Sequence, residues 1–228
     1  MCFSATASLS TGIVLLGIGA LALKSVHSRR ELPLAAIPLL FALQQLSEGV
    51  IWLTFAHEAP RLNEAMTQFY SFFSHALWPA YIPFAILLLE PSGPRRRVLG
   101  AFLAAGFLVG AYLLIMLFAF PIVSRPTGQH IEYVAPHFFA ATVMTLYLLS
   151  TTVSPMFSTH RLLKLFGVLS LLSFGAAYFF YATWFISVWC FFAAILSVIV
   201  VLHLRLRLRD ADRARDRVLG GAVNALER

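Results

Sequence analysis

The run LPLAAIPLLFALQQLSEGVIWLTFA, residues 32–56, decides the fold. As a helix it extends about 37 Å at 1.5 Å per residue, enough to cross a hydrocarbon core of ~30 Å. Its one ionisable side chain is Glu48. A soluble helix of that length would need a charged face to meet water, and this one has none.

The rest of the chain repeats the pattern. Apolar stretches of about 20 residues, the length of a membrane-spanning helix, are read at 8–23, 32–56, 64–89, 98–123, 133–152, 162–181 and 183–204. The last two are divided at Tyr181-Ala182-Thr183-Trp184, an aromatic interfacial turn; six spans with a kink there is the alternative. The fold class expected is therefore all-α, a polytopic membrane helical bundle of seven transmembrane helices over 1–204. Residues 205–228 form a basic C-terminal helix or tail.

Composition agrees. The 228 residues are 60% hydrophobic and 12% charged, with mean hydropathy +0.82. A soluble domain keeps about a quarter of its residues charged, so a lipid bilayer is the expected surroundings. The net charge of +7 does not indicate nucleic acid, because the basic residues lie between hydrophobic runs and in the tail. Lys24, Arg29, Arg30, Arg95, Arg96, Arg97, Arg161, Lys164, Arg205, Arg207 and Arg209 fall in alternate loops. That bias places the N-terminus outside and the C-terminus in the cytoplasm of a cell (inner) membrane. Met1-Cys2-Phe3-Ser4 lacks the basic n-region of a cleavable signal peptide.

Function is sought at Glu48 and His75, the ionisable groups set well inside apolar spans. Such groups are costly in hydrocarbon and are functional candidates by default. Glu48 lies eight residues from the outer end of its span and His75 eleven residues into the next, about 12 and 16 Å down. Gln44, Glu48 and Trp52 share one helical face, with Gln45 beside it; Gln68, Ser71, His75 and Trp78 share another. Ser187 and Cys190 recur at helical spacing in the last span, Tyr178 ends the sixth, and Cys2 and Ser4 precede the first. The inner halves of the spans offer little that is polar.

Glu48, His75, Cys2 and His137 supply oxygen, nitrogen and sulfur, donors that zinc or another divalent transition metal accepts. The leading expectation is a metal-dependent hydrolase or hydratase acting on a lipid-like or small substrate, with Glu48, His75 and Ser71 catalytic. Ser4, Gln44, Gln45, Trp52, Trp78 and Tyr178 would line its pocket. No HExxH or CxxC motif ties these ligands together. A proton- or cation-coupled transporter or channel using Glu48 and His75 is the alternative. A non-catalytic haem or pigment carrier, with His75 or His137 as axial ligand, is a third. Homo-oligomerisation stays open.

The opening Met1-Cys2-Phe3-Ser4-Ala5-Thr6-Ala7-Ser8, with Arg30-Glu31-Leu32-Pro33-Leu34 and Gln44-Gln45-Leu46-Ser47-Glu48-Gly49, resembles an uncharacterised family of small bacterial multi-span membrane proteins. Ser71-Phe72-Phe73-Ser74-His75 resembles the Ser-x-x-x-His element of the alkaline ceramidase and adiponectin-receptor superfamily of seven-span zinc hydrolases. That resemblance implies zinc on His75. The last span has no His-x-x-x-His pair, so Glu48, Cys2 or His137 would have to replace two ligands.

Overall fold

A computed structural model describes residues 4–135 and 140–207. The apolar run that opened the sequence is a single helix, α2 (Leu32–Ala56), entered through a 3-10 turn at Arg29–Glu31. Before it comes α1 (Ala5–Lys24), whose N-cap is Ser4: its Oγ accepts the Ala7 N–H at 3.2 Å. The next pass is α3 (Pro60–Ser71), a π-helical turn (Phe72–Leu77) and α4 (Trp78–Leu89), then α5 (Pro94–Ala119). A hairpin follows, β1 (Val123–Thr127) and β2 (His130–Val134). Next are α6 (Ala141–Leu148), a second π-helical turn (Leu149–Val153) and a 3-10 turn (Ser154–Phe157). Last come α7 (Arg161–Phe180) and, after a 3-10 turn at Ala182–Trp184, α8 (Phe185–Leu196), which continues past Ser197 to Arg207.

The protein is a helical membrane bundle. Among the described residues, six helices are long and apolar enough to cross a bilayer, and Ala141–Phe157 is a shorter apolar helical segment. Large apolar side chains point outward along α5: Phe107 is 65% exposed, Leu108 68% and Phe118 80%. In water these would drive aggregation, so lipid tails must cover them. The chain breaks between α7 and α8 at residues 181–184, where the aromatic turn was expected.

The departure from an all-helical fold is the hairpin. An apolar span was expected over 133–152, yet residues 130–134 are strand and the helix begins at Ala141. The signal is local: Gly128, at φ +63°, turns the chain between two short runs that alternate in burial. Hydropathy averaging merged the second run with the apolar helix behind it. Non-helical backbone within a membrane protein is tolerated only where its polar groups are satisfied and buried in protein. Here β1 and β2 pair antiparallel, with Tyr133 opposite Ser124. Gln68 Nε2 donates to the Ile122 carbonyl at 2.8 Å, and Ser124 bonds Thr67 and Asn63 at 2.8 and 3.0 Å. On the other side His130 stacks on Trp184, centroids 4.3 Å apart. The hairpin is thus fastened to α3 and to the turn before α8.

Close helix packing relies on glycines. Lipid tails are as apolar as leucine, so helices associate by fit rather than by escaping water. A Cβ at Gly12 or Gly49 would lie 2.7 Å or 2.6 Å from Leu46 or Leu9 across the α1–α2 contact. On α5, Gly106 and Gly110 form a Gly-x-x-x-Gly pair facing backbone: a Cβ at Gly106 would sit 1.8 Å from the Pro79 carbonyl oxygen, and at Gly110 2.6 Å from that of Ala76. Backbone cannot swing aside as a side chain can. Gly106→Val is therefore expected to destabilise the bundle by about 3 kcal/mol or more, at or beyond the usual range for overpacking. Gly100, with nothing within 4 Å, should accept Ala with no loss. Thermal unfolding of the two variants in one detergent checks this.

Candidate functional site

Glu48 is fully buried, and its burial has to be compensated. Three hydroxyls from three segments do so. Ser187 on α8 donates to Oε1 at 2.6 Å, Tyr133 on β2 to Oε1 at 3.3 Å, and Ser8 on α1 to Oε2 at 3.5 Å. The local sequence explains the convergence. Gly49 lets α1 approach close enough for Ser8 to reach the carboxylate, while the hairpin register turns Tyr133 inward. Tyr133 is held flat against Tyr70 of α3, centroids 4.5 Å apart and planes 6° from parallel. The Ser187 bond has the length of a charge-assisted hydroxyl-to-carboxylate bond, worth about 1.5–3 kcal/mol, and the two longer ones are weaker.

A polar layer extends from this centre. The Gln44 Oε1 accepts the Trp78 indole N–H at 2.8 Å, tying α2 to α4. The Cys190 thiol neighbours Gln44 and Tyr70 and lies within the field of Glu48. Gln45, one turn before Glu48 on α2, is completely buried, and neither its Oε1 nor its Nε2 has a partner among the described residues.

His75 sits on the first π-helical turn, 3% exposed. The extra residue of such a turn re-aims side chains, and these turns recur at functional sites. Its Nδ1 lies 2.8 Å from Ser74 Oγ, and the ring also bonds the Ser71 carbonyl, so the imidazole leans back along its own segment. Tyr147 of α6 donates to the Ser74 carbonyl at 2.5 Å. The Ser71 hydroxyl is buried with no partner among the described residues.

Two spaces adjoin the layer. Towards the hairpin, a pocket of about 370 Å³ is lined by Tyr133, Glu132 and the turn residues Thr183 and Trp184. Tyr133 thus faces the pocket and donates to Glu48. Towards the opposite end, a cavity of about 30 Å³ lies among Trp78, Tyr147, Thr151, Ser170 and Cys190. That volume suits one or two waters.

The residues expected from sequence fare differently. Glu48, His75, Ser71, Gln44, Gln45 and Trp78 are all buried. Trp52 is half-buried on α2 and meets Phe55 edge-on; Ser4 is exposed and caps α1. Tyr178 is 49% exposed and packs on Phe174 and Phe185. Cys2 and His137 lie outside the described residues. Ser8 and Tyr133 were not anticipated as partners of Glu48, and Ser187 was read only as a polar position. No spacing rule could pair residues up to 139 positions apart.

Among the described residues no group of three or more His, Cys, Asp or Glu side chains gathers to hold a metal. Of the four expected ligands the described part contributes Glu48, whose oxygens take three hydroxyls, and His75, whose Nδ1 is engaged. These two do not make a zinc centre by themselves.

The chain belongs to a family of unknown function, DUF6629, whose model matches residues 1–217. No curated protein and no solved structure matches it. The family-level resemblance read from the opening motif is consistent with this membership; nothing supports the ceramidase and adiponectin-receptor likeness.

Removing one of the three hydroxyls leaves the buried carboxylate short of a donor. Ser187→Ala should cost about 1–3 kcal/mol of stability, with Ser173→Ala, whose hydroxyl bonds its own helix carbonyl, changing little. Chemical unfolding of both variants in micelles provides the comparison.

Proposed function

We propose that this member of the family is a cation-coupled membrane transporter whose binding group is Glu48, loaded from the hairpin end of the bundle. The observation that carries the reading is a fully buried carboxylate bonded by three hydroxyls. The hydroxyls are those of Ser8, Tyr133 and Ser187, and one turn away on α2 lies the Gln45 amide, without a partner among the described residues. Carboxylate, hydroxyl and amide oxygens suit a proton or a hard cation; they are poor ligands for a soft one.

Two further features favour transport over a dead-end site. The 370 Å³ pocket reaches Tyr133 from the hairpin end. On the other side of the layer, the inner half of the bundle carries more polarity than the hydropathy pattern led us to expect. Ser150, Thr151, Thr152 and Ser154 are all buried on the irregular segment after α6, and Thr151 and Thr152 line the small cavity. In this reading seven segments cross the membrane, with Ala141–Phe157 as the short fifth. The arginine-rich end faces the cytoplasm, so the N-terminus is outside and the membrane is the cell membrane.

Purified protein in proteoliposomes is expected to move protons or sodium ions down an imposed gradient, and Glu48→Gln should abolish that flux. Absence of flux with either ion, or wild-type flux in the variant, would overturn the proposal.

A metal-dependent hydrolase is the second reading, favoured by a carboxylate and an imidazole, Glu48 and His75, both buried within the bundle. It requires Cys2 or His137 as further ligands. Protein purified without chelators should then contain stoichiometric zinc, lost in His75→Ala; metal-free protein would end it.

A further inference from the structure

At the arginine-rich end, far from Glu48, four segments meet around a second group of ionisable side chains. Glu31, in the 3-10 turn before α2, is 5% exposed. It accepts the His27 and Ser28 backbone N–H groups at 2.8 and 3.4 Å and pairs with Arg207 at 3.1 Å, tying the end of the last helix to the start of α2. Glu90, just beyond α4, is also buried and accepts the Thr159 N–H and the Ser158 and Thr159 hydroxyls at 3.0–3.3 Å. Between these two carboxylates lie His160 and His203, rings 4.8 Å apart and steeply inclined. The His160 ring bonds the Leu89 carbonyl. Both Nε2 atoms are buried, and neither has a partner among the described residues.

An imidazole that donates from Nδ1 carries its lone pair on Nε2. A buried lone pair with no donor is a proton acceptor waiting for a proton. We propose that His160 and His203 form a proton-binding site that takes up a single proton, and that filling it releases the Arg207–Glu31 clasp.

The electrostatics of every packed segment bear on this site. Glu31 and Glu90 favour a charged imidazole; Arg207 from the last helix opposes it. Arg96 of α5 binds the Glu90 and Leu87 backbone carbonyls, and Arg161 and Lys164 lie on the first turn of α7. Burial first, then Arg207, hold the His160 pKa below its usual 6.5. The folded, clasped form therefore binds fewer protons than an opened one just below that value. By linkage its stability is complete at neutral pH and falls as pH drops from 6.5 towards the lowered value. Charge on one ring disfavours charge on the other, so the first proton is taken up well before a second. The resulting imidazolium repels the Arg207 guanidinium and competes with it for Glu31. This site stands on its own geometry and does not rest on the cation reading at Glu48.

The test uses the full chain in lipid nanodiscs, with spin labels at Arg30 and Leu206, both exposed. The distance between them should be short at pH 8 and lengthen in one transition below pH 6.5. The His160→Gln, His203→Gln double variant should stay short throughout. No lengthening in the wild type, or an unchanged transition in the double variant, would overturn the proposal. Should the double variant not fold, histidine-selective NMR of the wild type decides. One coupled uptake supports the site; two independent titrations near 6.5, or none, reject it.

Discussion

Everything near the centre of this bundle answers to one requirement: a carboxylate at Glu48 with no exposure to solvent must be solvated by protein. Water would do this at no structural cost. In its place the fold brings a serine from α1, a serine from α8 and a tyrosine on a strand to the same two oxygens. Each donor imposes a condition on the segment that carries it. Helix α1 must pack against α2 at Gly49, α8 must reach the centre near its own start, and the chain after α5 must turn back into the bundle. The hairpin exists on these terms, and so does the short helical segment that follows it.

The two π-helical turns belong to the same logic. One carries His75, the other precedes the buried Ser154, and Tyr147 joins the neighbourhoods of both through the Ser74 carbonyl. A regular helix would point these side chains elsewhere. The widened turns are stable where they are because α5 lies against the first of them at Gly110, with no side chain to push it away.

Much of the architecture was legible because lipid leaves a blunt signature. Uninterrupted apolar runs such as 32–56 and 98–119 translate directly into helices, and the break at residues 181–184 announced itself by its aromatics. The hairpin was not legible. Its strands are five residues each, their alternation is short, and Tyr133 sits next to an apolar run that absorbs it in any average. Glu48 could be singled out by cost alone, since no other acid lies so deep in a span. Its partners could not, because serine and tyrosine are common in membrane helices and only the packing of distant segments selects Ser8, Tyr133 and Ser187. The buried hydroxyls of Thr151, Thr152 and Ser154 were hidden for a related reason: bonded to their own backbone, they cost little and leave the hydropathy of the run almost unchanged.

The hairpin also couples the centre of the bundle to its end. Stitched to α3 by Ser124 and Gln68 and to the aromatic turn by His130, it holds Tyr133 against the carboxylate. A pocket lies to one side, between β2 and Trp184, where an indole normally marks the boundary between headgroups and hydrocarbon. Tyr133 thus belongs at once to the wall of that pocket and to the shell of Glu48, so whatever shifts its ring from the pocket side also moves a hydroxyl bonded to the buried carboxylate.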